Sequence, residues 1–146
     1  MQGRWLRVIP AIAGVAVLAG VLWLAAPLVL QRVALDGDWR LEAGMLDGSP
    51  IPVLTDHRPT LTIDGGRVSG NAACNDYGGY LDVSGTSAHP HDIFWTVGRC
   101  LDDAQMASEA AFLAALERVT KVRREGEHLV LAGPSVEMRF EPIPSS

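Results

Sequence analysis

From Val8 to Leu30 the chain runs for 23 residues without a charged side chain, and 19 of the 23 are apolar. A bilayer core about 30 Å thick takes roughly 20 apolar residues in a helix, so 23 residues at ~1.5 Å each cross it with some tilt. Residues 8–30 therefore read as one transmembrane helix. A cleaved secretory signal has a shorter apolar stretch and a small-residue cleavage site, whereas this one leaves through Leu30-Gln31-Arg32-Val33-Ala34. The expectation is an uncleaved signal anchor over 8–30, with residues 1–7 as a cytoplasmic stub and 31–36 as a linker. Arg4 and Arg7 precede the span, and Asp36 and Asp38 follow Arg32, so the positive-inside bias keeps the N-terminus in the cytoplasm. The rest of the chain is then periplasmic or extracellular. Leu18-Ala19-Gly20 is followed by Val21 rather than cysteine, which excludes lipid anchoring there. Ala16 and Gly20 form a small-residue pair of a kind common by chance in such spans.

Residues 35–146 are a different material. They carry 9 Lys/Arg against 17 Asp/Glu, a net charge of −8 in a chain whose total is −5. That length supports one core without help. It leaves no room for a second domain of ordinary size, and the acidic balance excludes nucleic-acid binding through a basic surface.

Both cysteines, Cys74 and Cys100, fall in this exterior portion. An even count in an oxidising compartment reads as a disulfide, and a loop of this length is worth roughly 3.5 kcal/mol in the chain-entropy model. Two free buried thiols are the alternative. A zinc site lacks a second ligand pair at the usual spacing, and a catalytic dithiol lacks Cys-x-x-Cys.

Asp38-Trp39-Arg40-Leu41-Glu42 alternates as a half-buried strand, followed by a loop of turn formers from Gly44 to Pro59. Thr60–Ile63 and Arg67–Ser69 are strands joined by Asp64-Gly65-Gly66, a hairpin signal. Strands are also expected over 77–83 and, more fully buried, over 93–97, with a loop between them containing Ser84-Gly85-Thr86-Ser87 and His89-Pro90-His91-Asp92. One helix is expected over 103–119, capped by Asp102, with Gln105 placed for a capping box and Phe112, Leu113, Leu116 and Val119 as its apolar stripe. Strands over 121–123, 129–131 and 136–140 close the domain, and 142–146 is a tail. Strands on both sides of a single helix, with no βαβ alternation, point to an antiparallel α+β fold.

The order of these features over residues 37–141 resembles the META/HslJ-like family of small bacterial envelope domains. The resemblance is carried by Trp39-x-Leu41, Thr60–Ile63 leading through Gly66–Gly70 to Cys74-Asn75-x-Tyr77, Thr96-x-x-x-Cys100, and Glu109-x-x-Phe112-Leu113-x-x-Leu116. It implies a small antiparallel β-sheet or partly open barrel packed with one helix, and a setting in envelope or heat-shock stress responses. It supplies no catalytic residue. The family usually has glycine before the Cys-Asn pair, where this chain has Ala73; a glycine used for positive φ would make Ala73 a strained or altered turn.

Three clusters could carry chemistry. His89, His91 and Asp92 offer metal ligands, though two histidines at i, i+2 suit a solvated loop. Asn71, Asn75, Asp76 and Tyr77 could form a binding rim, or the Asx side chains could simply satisfy a tight turn. Lys121-Val122-Arg123-Arg124 is followed by Glu125 and Glu127, so its field largely cancels. No nucleophile elbow or phosphate-cradling loop is present. The expectation is a non-enzymatic binding module without a cofactor, acting in envelope homeostasis on an unidentified protein or ligand. A metal-dependent protein using His89 and His91, or an inhibitor of extracellular hydrolases, are the alternatives.

Overall fold

The structure, a computed structural model, describes residues 35–100 and 102–144. The stub, the span, its small-residue pair and residues 31–34 of the linker lie outside the described residues. Among the described residues no helix is long and apolar enough to cross a membrane.

β1 (Gly37–Leu46) buries Trp39 and Leu41, as their alternation requires. It continues beyond Glu42, where a loop was expected to begin, because β9 (Val136–Pro142) pairs with it from Trp39↔Pro142 to Leu46↔Val136. A bulge between Leu41 and Ala43 absorbs the change of register. The two-residue β2 (Ser49–Pro50) folds back on the end of β1. β3 (Thr60–Asp64) and β4 (Arg67–Asn71) form the expected hairpin, with Gly65 at φ 57° and Gly66 at φ 90°. Both turn positions are left-handed, the conformation of a type I′ turn, which glycine enters at no steric cost.

β5 (Asp76–Ser84) and β6 (Ser87–Trp95) correct the sequence reading. The segment containing His89-Pro90-His91-Asp92 is a strand, not a loop, and its hairpin turn is confined to Gly85 and Thr86. Pro90 is tolerated for a geometric reason. Leu81, its partner across the ladder, donates its amide to the Gly66 carbonyl on the other side. Leu81–Pro90 is thus a non-hydrogen-bonded pair, and the donor Pro90 lacks would have faced away from β5. There β6 has already parted from its other neighbour, an edge position that admits proline. The buried strand expected over 93–97 is not found either, since β6 ends at Trp95, Phe94 within it is 66% exposed, and Val97 beyond it is 95% exposed.

α1 (Asp103–Glu117) connects β6 to β7 (Lys121–Glu125), which continues into β8 (His128–Gly133) and β9. Asp102 caps the helix, its carboxylate accepting from the Gln105 amide at 2.9 Å. The β1–β9 pairing closes eight strands into an antiparallel barrel, so the partly open form is not what is found. Its thinnest seam is β6–β7, with the single register pair Ser87↔Lys121 flanked by two backbone bonds, Ala88 N to Thr120 O and Val122 N to Thr86 O. The chain between these two strands is α1. Its buried Phe112 meets Tyr77 edge-on at 5.5 Å and Phe140 at 6.4 Å, joining the helix to the barrel core. Ser108 donates to the Pro52 carbonyl at 2.6 Å, tying the helix to the loop after β2. The last strand also extends into the expected tail, where Ile143 N bonds Asp38 O at 2.8 Å.

Candidate functional site

The chain enters the described fold at Leu35, which packs near the turns that join β3 to β4 and β5 to β6. β5 and β6 run from there to the other end of the barrel, where the β4–β5 loop, the segment after β6 and the first half of α1 converge. Cys74 and Cys100 are joined there as a disulfide with Cα atoms 5.5 Å apart.

The turn before Cys74 is built locally. Ala73 takes φ 90°, the left-handed conformation that the resemblance anticipated for a glycine. Asn71 stabilises it by accepting from Ala73 N at 3.0 Å and donating to Cys74 O at 3.3 Å and Asp76 Oδ1 at 3.0 Å. The Asn71 side chain is thus spent within its own turn, while its backbone N–H donates to Thr60 Oγ1 on β3 at 3.0 Å.

Asn75 is only 7% exposed and acts as the hub. Its backbone N–H donates to Glu109 Oε2 at 2.6 Å and its side-chain amide to Glu109 Oε1 at 3.0 Å. Its side-chain oxygen accepts from Gly98 N at 2.6 Å and Thr96 Oγ1 at 3.2 Å. Gly98 fits closely, since a Cβ there would stand 2.9 Å from that oxygen. Asp76 N in turn takes Thr96 Oγ1, and Thr96 N takes Asp76 O at 2.9 Å. Tyr77 points inward and donates to Thr60 O at 2.8 Å; burial pushes its phenol far above the usual range. The four polar residues singled out in the sequence are therefore neighbours with separate duties, and only Asp76 is exposed. Glu109, which holds the site together, was visible in the sequence only as one member of a helical pattern.

Beside this network a groove of about 470 Å³ opens between α1 and the segment after β6. Trp95, Val97 and Met106, all exposed, stand along it; Leu113 and Ala114 add apolar lining, and Glu109 and Cys100 are reached from it.

His89 and His91 lie on the outer face of β6, rings stacked at 6.2 Å, with Tyr80 stacked on His91 at 5.4 Å. His91 sits between Asp92 Oδ2 at 3.1 Å and Asp82 Oδ2 at 3.4 Å. The imidazoles are parallel rather than convergent. Among the described residues the one group of three metal-type donors within 4.8 Å of one another is Cys74, Cys100 and Glu109.

The META domain family model matches residues 31–142. No curated protein matches the chain. Among solved structures, an NMR structure of a protein from Burkholderia xenovorans is similar at 22% identity and TM-score 0.65, covering 78% of this chain and 87% of that one. A crystal structure of a DUF4847 family protein from Bacteroides vulgatus is similar at 14% identity and TM-score 0.56, covering 80% of this chain and 99% of that one. Both likenesses are of fold.

Proposed function

Because this chain belongs to the META domain family, we propose that it is a non-enzymatic binding module held at the outer face of the cytoplasmic membrane, serving envelope homeostasis by engaging a protein partner through the groove beside α1. The groove carries the reading. It exposes Trp95, Val97 and Met106 together, on a framework of disulfide, Asn75 and Glu109 that leaves it little freedom to collapse. Exposed apolar side chains gathered on one rim mark interaction sites more often than scattered ones do. If residues 8–30 are an anchor, the groove faces away from the membrane, because Leu35 lies at the opposite end of the β5–β6 hairpin.

A reporter enzyme that works only after export, fused after Ser146 of the full chain, tests the location. Activity in intact cells is the expected result. Activity confined to a reporter that works only in the cytoplasm would contradict it.

A further inference from the structure

We propose that reduction of the Cys74–Cys100 bond uncovers a site for a thiophilic divalent cation such as Zn²⁺, with the two thiolates and the Glu109 carboxylate as its three protein ligands. The donor atoms of all three residues already lie within 4.8 Å of one another. Two sulfurs on one tetrahedral zinc sit roughly 3.8 Å apart at Zn–S bonds of about 2.3 Å. Cα atoms 5.5 Å apart accommodate that with side-chain motion alone.

The surroundings are those of a ligand set. Asn75 N and Nδ2 each bond one oxygen of Glu109, fixing the carboxylate's orientation as outer partners of metal ligands do, and each oxygen keeps a lone pair. The same side-chain amide donates toward Cys74 Sγ at 3.5 Å, so Asn75 contacts two of the three ligands. All three ligands are half-buried, and Cys100 and Glu109 line the groove, which provides a path for the ion and a fourth position for water. Three protein ligands with one open position is the arrangement of a reactive or exchangeable zinc site.

The chemistry balances with a dithiol as reductant. One of its thiolates attacks a sulfur of the pair, the Cys74–Cys100 bond breaks, and the dithiol leaves as its own disulfide with two electrons transferred. The two thiols lose their protons when the cation binds. The oxidised module holds no metal here; the reduced one does. This holds whatever the groove binds.

The test uses the full chain in detergent micelles, reduced with a dithiol that is then removed anaerobically, and titrated with Cd²⁺ and Zn²⁺. Expected are one cation per chain, a thiolate-to-cadmium charge-transfer band, release of protons, and a rise in the melting temperature of the reduced protein with added Zn²⁺, because only a folded site stabilises on binding. The oxidised chain should bind at least about 100-fold more weakly, and Glu109→Gln in the reduced chain about 10–100-fold more weakly. Equal binding by oxidised and reduced chains would overturn the proposal. So would an unchanged or lowered melting temperature of the reduced wild type, a readout that stands even where Glu109→Gln fails to fold. A reduced Glu109→Gln chain that folds and binds as tightly as wild type would remove Glu109 from the set.

Discussion

Glu109 grips Asn75 with both carboxylate oxygens, one on the backbone N–H at 2.6 Å and one on the side-chain amide at 3.0 Å. Removing it strands a largely buried donor, which costs about 1–3 kcal/mol. Glu109→Ala should therefore lower unfolding free energy by that amount in urea titration with the disulfide intact, while Glu117→Ala on the exposed end of the helix should cost under about 0.5 kcal/mol. Equal losses would mean that the carboxylate does not organise the site.

Ala73 and Ala72 are both buried, but only Ala73 has positive φ. Changing either to glycine removes a buried methyl and adds backbone freedom in the unfolded chain. Ala73→Gly also relieves left-handed strain, of order 1–3 kcal/mol. It should leave the protein more stable than Ala72→Gly by roughly that difference; the reverse order in paired thermal melts would refute the strain.

Gly70 lies against the backbone of Thr60, and a Cβ there would collide with the Thr60 carbonyl, the acceptor of the buried Tyr77 hydroxyl. Gly70→Ala should cost at least about 1–3 kcal/mol by forcing β3 and β4 apart. Wild-type stability would show that the hairpin yields freely.

Glu141 accepts from Arg40 Nε at 3.1 Å and Nη2 at 2.9 Å, and from Arg58 Nη1 at 2.8 Å, all on one oxygen. The Arg40 hydrogen bonds, with Arg58 beside them, hold its carboxyl below the ordinary range. A folded value below the unfolded one, about 4.3, stabilises the fold above that pH and ceases to do so as pH falls through the folded value. The melting-temperature gap between wild type and Glu141→Gln should be fully open at pH 7 and close at acid pH below about 4. A gap independent of pH would show that the charge contributes nothing.

At the alkaline end the sign reverses. Burial raises the Tyr77 phenol above its unfolded value of about 10, so its contribution is full below that pH and is lost as pH rises beyond it. Tyr77→Phe should cost about 1–2 kcal/mol at pH 7 through the stranded Thr60 carbonyl, and that deficit should shrink above about pH 10. A constant deficit would place the phenol's titration elsewhere.

Features set by neighbouring residues were legible before the structure: the Asp64-Gly65-Gly66 turn, the Asp102 cap and the Phe112–Leu116 stripe. Each depends on φ preference or periodicity within a few positions, whereas the left-handed demand at Ala73 was implied only by the family resemblance. The strand status of His89–Asp92 was not legible, because Pro90 and the polar run before it argue locally for a loop. What admits them is the parting of β6 from β7, a property of barrel closure. The Glu109–Asn75 contact spans 34 positions and has no local signature. The His89–His91 pair was conspicuous for the opposite reason: two positions apart in sequence, its rings stack along the strand instead of converging.

The groove is tested most directly by site-specific photocrosslinking in intact cells, with a photoreactive side chain at Val97 on its rim or at Asp64, beside the β3–β4 turn at the opposite end of the barrel. A discrete adduct from Val97, absent from Asp64 and lost when Met106 is changed to Asp, is the predicted result. Equal adducts from both positions, or an adduct at Val97 indifferent to Met106→Asp, would contradict it.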